Sequence, residues 1–437
     1  PGPVDARDVH ATLLHLGLGR AAAWAADGRS FLARAPAGAG PPPPGETDLT
    51  PGGSGPGAGT CRRAPLPPST ASFFADIPRD RRPSWPSCRD NVAPPQPDVV
   101  CGCATPGNQG EWFSCPGDAP IGEAQLEPGD TYALKSCPGQ PVEVTLYPDR
   151  VRPTGNVTTD ADAPPPNVLF LEVDSVSLAS ARRHLPRTLA LLAEYTACDG
   201  EGPCAVPLRG TSVVGRASIH NQLAALTGCS IERIGGSVET TAHKRPGRSK
   251  LDAVWCPPGR DGKGRVASLL KRAKQLGYLT LFGEEICDTG SPWVTQHNYF
   301  PLEVDVSLSP LFCDLAFDEC IDRRFVGCDQ FYLIEFGNMT HPQPCVGGRP
   351  RSELPLEALR GLWDAHPVAP KFAFVNAIAA HRFPVEESLR YVAVEAYDAS
   401  LSAFLQGMLD DHGANTLFVL RSDHGLQDGP ASLEHAV

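Results

Sequence analysis

The amino-acid sequence predicts an α/β fold, a mostly parallel sheet sandwiched by helices and preceded by a small Cys-rich β module. Three observations carry that prediction. Apolar runs recur at 167–173, 279–282, 371–380 and 416–420, each nearly continuous, as strands buried on both faces of a parallel sheet are. Helical patterning separates them, in LPRTLALLAEYTA, SIHNQLAAL, RVASLLKRAKQLG and the long segment from about Pro384 to Asp411. Ahead of all this, cysteines accompany short strand-like pieces such as PVEVTLYPDRV.

Taken in order, residues 1–60 carry one expected helix, Asp8 to Ala26, followed by a Pro/Gly tract that cannot bury a core and reads as a linker. Residues 61–158 hold six cysteines and form the β module, and DADAPPP at 160–166 is a second linker. The α/β domain is expected over 165–437. In it Asn167–Val173 is a buried strand, Gly277 stops the helix of RVASLLKRAKQLG, and YLTLFGEE, KFAFVNAIAA and TLFVL supply further strands.

Composition narrows the function classes. The net charge is −12 with no basic block, which argues against nucleic acid as a partner, since phosphate neutralisation needs clustered Lys and Arg. The 15 cysteines include no C-x-x-C pair, which points to disulfides rather than structural zinc. The sequons at Asn156 and Asn338 fit the same oxidising setting, so the expected location is the secretory lumen, cell surface or exterior, with a targeting segment upstream. No apolar stretch reaches the about 18 residues a membrane-spanning helix needs.

In open α/β sheets, ligands bind beyond the carboxyl ends of the strands. Those ends deliver Asp174, the pair Glu284 and Glu285, His381, and the pair Asp423 and His424. Oxygen and imidazole donors gathered at one edge suit zinc, manganese or magnesium, although an acid at a strand end also caps a following helix well. A second Asp-His-Gly, at 411–413, follows a helix instead, where Gly413 is expected as a left-handed cap and His412 complements the helix dipole. Ser218 opens the helix SIHNQLAAL and, taken locally, reads as an N-cap. The same place suits a nucleophile, because helix N-terminal amides stabilise an incoming anion, and Asn221 one turn on could donate to its oxygens.

On local sequence alone the N-cap use is favoured; a family resemblance, carried by several motifs in order, favours the second use. The chain runs Asp174-Ser175-Val176-Ser177, Leu185-Pro186-Arg187-Thr188, Gly215-Arg216-Ala217-Ser218-Ile219-His220-Asn221, Leu226-Thr227-Gly228 and Ser422-Asp423-His424-Gly425. Over roughly 160–437 this resembles the alkaline-phosphatase and sulfatase-like superfamily, closest to the eukaryotic domain-of-unknown-function family 229. It departs at Ser218, where the family has Thr, and at Ala217 and His220, which replace the usual Asn and Pro. The sequence also stops at Val437, where the superfamily adds strands and often another metal-binding His.

The resemblance implies a metal-dependent hydrolase or transferase of phosphate or related anionic esters. Asp174, Ser218, Asp423 and His424 would bind a divalent Zn, Mn or Mg ion, with Ser218 also the nucleophile. Asn221 would bind oxygens of the transferred group, His381 would contact the substrate or protonate the leaving group, and Glu284 or Glu285 would orient a ligand. Two alternatives stand beside it. One is a sulfatase with formylglycine at Cys256, whose C-P-P-G-R context fits the sulfatase signature but lies downstream of the L-T-G helix. The other is an inactive, disulfide-rich surface or binding protein.

Overall fold

Parallel strands covered on both faces need apolar side chains at successive positions, and the apolar runs of this chain do pair in that way. The structure is a computed structural model. It describes residues 101–106, 113–115, 126–137, 143–152, 165–196, 203–208, 213–215, 218–228, 230–231, 254–255, 268–285, 303–309, 311–312, 345–346, 349–379 and 387–425. The expected helix at 8–26, both sequons, Cys256 and His381 lie outside these residues.

Four short strands come first: β1 (Gly102–Ala104), β2 (Phe113–Ser114), β3 (Tyr132–Ser136) and β4 (Glu143–Leu146). They form an antiparallel sheet in the order β2-β1-β3-β4, braced by disulfides Cys101–Cys137 and Cys103–Cys115. Then follow β5 (Asn167–Val173), α1 (Leu178–His184), α2 (Pro186–Glu194), α3 (Ser218–Thr227), β6 (Ser230–Ile231), β7 (Val254–Trp255), α4 (Leu269–Gln275), β8 (Leu279–Glu284) and β9 (Val306–Ser307). The chain continues through β10 (Cys345–Val346), β11 (Arg349–Pro350), α5 (Glu353–Ala365), β12 (Lys371–Ala377), α6 (Glu387–His412) and β13 (Thr416–Arg421). The central sheet has the order β13-β5-β12-β8-β9, and every pairing in it is parallel.

Side-chain alternation divides the core between the two faces. Leu169, Leu171, Val173, Ala373 and Val375 pack on one side, with α5 and α6 residues such as Leu359, Trp363, Leu401 and Leu405. Val168, Phe170, Phe372 and Phe374 pack on the other, with Leu223 and Leu226 of α3 and Leu270 of α4. Tyr132, Leu134 and Val151 join the first of these cores, so the β module and the larger sheet share one apolar interior.

Local signals explain the connections. Ser177 caps α1, its hydroxyl accepting from Ser180 N at 3.1 Å. Pro186 stands in the first turn of α2, and Asp398 of α6 accepts from the amides of Arg187 and Thr188, both at 2.9 Å. Gly228 and Gly277 follow α3 and α4 with positive φ of 71° and 86°, as left-handed caps do. Gly413 is a correction: it is not among the positive-φ residues but opens a 3-10 turn at Gly413–Asn415. His412 ends α6 beside Asp364, its Nε2 at 3.0 Å from the carboxylate. That copy of Asp-His-Gly therefore ends a helix, as expected, by a different turn.

Candidate metal and nucleophile site

The alternation that builds the core also builds the site. Even-numbered residues of β5 and β12 and odd-numbered residues of β13 face α3, so Glu172, Asn376 and Arg421 continue the apolar series of Phe170, Phe374 and Val419. Asp174 and Asp423 follow one step beyond the strands. Helix α3 crosses this face and brings Ser218 to the same edge.

Four predicted residues meet there. Asp174, Asp423 and His424 each offer a ligand atom, and these atoms lie within 4.8 Å of one another. Ser218 Oγ donates to Asp174 Oδ2 at 3.1 Å and stands 3.1 Å from His424 Nε2. All four are buried, and Ser218 keeps the most exposure, 7 %.

Backbone and neighbouring groups fix this arrangement. Asp174 N donates to Ala377 O at 2.9 Å, and Asn376 Nδ2 donates to Asp174 Oδ2 at 3.3 Å, so the central strand β12 holds the first acid. Ser175 adopts φ 61°, a left-handed conformation that costs a non-glycine residue about 1 kcal/mol. In return its N–H donates to Asp423 Oδ1 at 3.0 Å and its hydroxyl to Asp174 Oδ1 at 2.7 Å, joining the two acids. Ser422 Oγ accepts from Val176 N at 3.0 Å and donates to His424 O at 2.6 Å. The D-S-x-S and S-D-H-G motifs are thus two halves of one hydrogen-bonded unit.

The donor set fits a divalent cation. His424 Nδ1 faces the Gly425 carbonyl at 2.6 Å, which places a proton on Nδ1 and leaves Nε2 directed at the acids. Asp423 Oδ2 is buried without a hydrogen-bond partner among the described residues, 3.2 Å from that nitrogen. Two carboxylates and an imidazole nitrogen are an oxygen-and-nitrogen donor set of the kind a divalent cation takes. Among the described residues Arg421 pairs with Glu172, while Asp174 and Asp423 lie against His424.

Titration reflects the same imbalance. Burial, then the charge of Asp174, pushes the Asp423 carboxyl above the usual carboxylate range, against the opposing pull of His424, Ser218 and Ser175. Burial disfavours a charged His424, but Asp423 and Asp174 outweigh it and hold the imidazole above its ordinary value. Glu172 is pushed up to about 7, chiefly by burial, with Arg421 opposing and Asp423 adding to the rise.

Asn221 has a different occupation from the one expected. Its Oδ1 accepts from Val214 N at 2.8 Å and Gly215 N at 3.3 Å, and its Nδ2 donates to Gly215 O at 2.8 Å. The amide clamps the loop that leads to Ser218. Gly215 is required at that clamp, because a Cβ there would stand 2.6 Å from His220 Cβ. Glu284 and Glu285 are fully buried at the end of β8, next to Asn376 in register, one strand further from Asp174. Sequence reading missed Ser175, Ser422 and Asn376 as supports, and it missed Glu172 and Arg421 entirely. The last two did leave a signal: opposite charges, one inside the apolar run of β5 and one at the end of β13.

A parallel α/β sheet with an acid–imidazole cluster and a hydroxyl at its carboxyl edge defines the class, an α/β protein with a candidate metal site. Residues 132–434, more than half of the chain, match the family described as protein of unknown function (DUF229), and the chain belongs to that family. The match begins at β3, so it takes in part of the β module as well as the larger sheet. No curated protein and no solved structure matches the chain.

Proposed function

We propose that this chain is an extracytoplasmic, metal-dependent hydrolase or transferase of phosphate or related anionic esters, of the alkaline-phosphatase and sulfatase-like kind. One observation carries the reading: the Ser218 hydroxyl touches both Asp174 and His424 at the N-terminus of α3, beside a buried acid pair. Asp174, Asp423 and His424 would hold the cation, with Ser218 beside it. A divalent ion bound there supplies charge neutralisation and lowers the pKa of an adjoining hydroxyl.

The chain's own residues account for the rest. Ser218 Oγ, its proton released to solvent, would form the new bond to phosphorus while the ester oxygen departs with its electron pair. The helix N-terminus favours the anionic group undergoing transfer. The departing oxygen takes up a proton, the role expected of His381. Water or an acceptor alcohol then cleaves the phosphoserine and restores the hydroxyl. The paired cysteines fit an oxidising compartment, and no helix among the described residues is long and apolar enough to cross a membrane.

The test is a screen of phosphate mono- and diesters and sulfate esters with Mn, Zn or Mg, run beside Ser218→Ala. Metal-dependent turnover lost in the variant supports the reading. Turnover unchanged by the variant, or a purified chain that neither holds nor binds a divalent ion, overturns it. Conversion of Cys256 to formylglycine, seen as a mass change at that residue, would establish the sulfatase alternative instead.

A further inference from the structure

Behind the metal-ligand cluster lies a second buried polar group that the proposed chemistry does not use. Glu172 is fully buried and directly opposes Arg421 across the β5–β13 pairing. Arg421 Nε donates to Glu172 Oε2 at 2.7 Å and Nη2 donates to the same oxygen, a forked contact. Gln222 Nε2 donates to Glu172 Oε1 at 2.8 Å. Arg421 Nη2 also reaches Asn221 O at 3.3 Å, and its guanidinium lies over the Phe170 ring, 5.2 Å from the centroid.

Position gives this group its meaning. Glu172 lies two residues before Asp174, Arg421 two residues before Asp423, and Gln222 one helical turn after Ser218. Both Glu172 carboxylate oxygens are therefore committed to the two other segments that carry site residues. A buried ion pair is a poor device for stability, since an apolar pair of similar size is often as stable or more so. It does fix geometry, because a forked guanidinium and a planar carboxylate accept few relative orientations.

We infer that Glu172, Arg421 and Gln222 form a positioning unit that sets the Ser218 hydroxyl against Asp174, Asp423 and His424. The inference rests on the proposed use of that cluster, but its anchoring claim can be read without any substrate. Loss of the unit leaves the fold intact and loosens the N-terminus of α3 relative to the two strand ends. Residues that orient metal ligands in this way typically contribute 10–100-fold in metal affinity.

The experiment compares the wild-type chain with Gln222→Leu, Arg421→Lys and the apolar double variant Glu172→Leu/Arg421→Met. Three readouts are taken: thermal midpoint, amide hydrogen exchange of peptides covering 218–227 and 421–425 in metal-free protein, and Mn2+ affinity by calorimetry. The double variant is expected to match the wild-type midpoint, exchange at least about 10-fold faster in those two peptides, and bind Mn2+ about 10- to 100-fold more weakly. Arg421→Lys, which keeps the charge but loses the fork, is expected to show the same direction at smaller size. Wild-type exchange in both peptides, in a double variant of matched midpoint, overturns the inference. The faster exchange with a wild-type chain that turns over no ester leaves the positioning unit standing and removes the esterase reading, so the two failures are distinct.

Discussion

Asp423→Asn separates a site built for a cation from one built for stability. The Oδ1 position accepts from Ser175 N and His424 N, and asparagine keeps that acceptor. At the Oδ2 position, which has no hydrogen-bond partner among the described residues and lies 3.2 Å from His424 Nε2, asparagine places an N–H donor. Removing one of the charges that raise His424 favours the neutral ring, whose Nε2 accepts that donor. The variant also relieves repulsion from Asp174. Ligand atoms of the cluster lie within 4.8 Å of one another, and like charges at that separation repel by about 3.5 kcal/mol at an effective dielectric of ~20. Proton uptake by Asp423, whose carboxyl is raised by burial and by Asp174, and the attraction of His424 already offset part of this in the wild type. The expected gain for metal-free protein is therefore about 1–3 kcal/mol, a rise of about 2–6 °C in thermal midpoint. Mn2+ at ~100 times its Kd should stabilise the wild type by about 2.7 kcal/mol and the variant hardly at all. Differential scanning calorimetry with chelator and with Mn2+ reads both effects. A variant less stable than wild type under chelator, or one that keeps the full Mn2+ shift, would refute the reasoning.

Three other substitutions test separate parts of the account. Asn221→Ala removes the three hydrogen bonds that clamp Val214 and Gly215, so kcat for an ester substrate should fall about 10-fold with KM nearly unchanged, as steady-state kinetics will show. Burial lowers Lys371 to about 8, so between pH 8 and its ordinary 10.5 the folded chain holds fewer protons than the unfolded one, and stability rises with pH across that window. Lys371→Met should accordingly add about 2 kcal/mol in urea melts at pH 7, a gain that disappears above about pH 10.5. Replacing Cys101 and Cys137 by Ala opens a loop with a sequence separation of 36 and should cost about 3–4 kcal/mol in oxidised protein. Because Tyr132 and Leu134 share the core of the larger sheet, the urea transition should shift as one unit and not split in two.

The parts of the fold that were legible in the sequence are those where burial is complete. Strands β5, β8 and β12 are buried at every position, so their apolar runs stood out, and the edge strand β13 kept a strong run as well. Strand β9 was illegible because Val306–Ser307 is too short to show a period. Helix α5 was also missed: it begins just after an Arg-Pro-Arg-Ser stretch and carries Pro355 in its first turn, although Leu354, Leu359, Leu362 and Trp363 are buried at helical spacing. In the site, Asp174, Ser218, Asp423 and His424 could be named because motif order and strand ends both pointed to them. Asn221 could be named but not assigned, since whether an amide faces a ligand or its own loop depends on the path of residues 213–215. Glu172 and Arg421 belong to no motif, the first inside an apolar run and the second just after one. Their opposition across two strands depends on register, which a single sequence does not display.

The central claim is that Ser218 attacks an anionic ester beside a bound divalent ion. Its most direct measurement is mass spectrometry of the peptide containing Ser218 after the chain, loaded with Mn2+, is mixed with an activated aryl phosphate and quenched in acid. The account predicts one added phosphoryl group, on Ser218, present with Mn2+ and absent with chelator and in Asp174→Asn. Metal-dependent turnover of that ester with no phosphate on Ser218 at any quench time would contradict it.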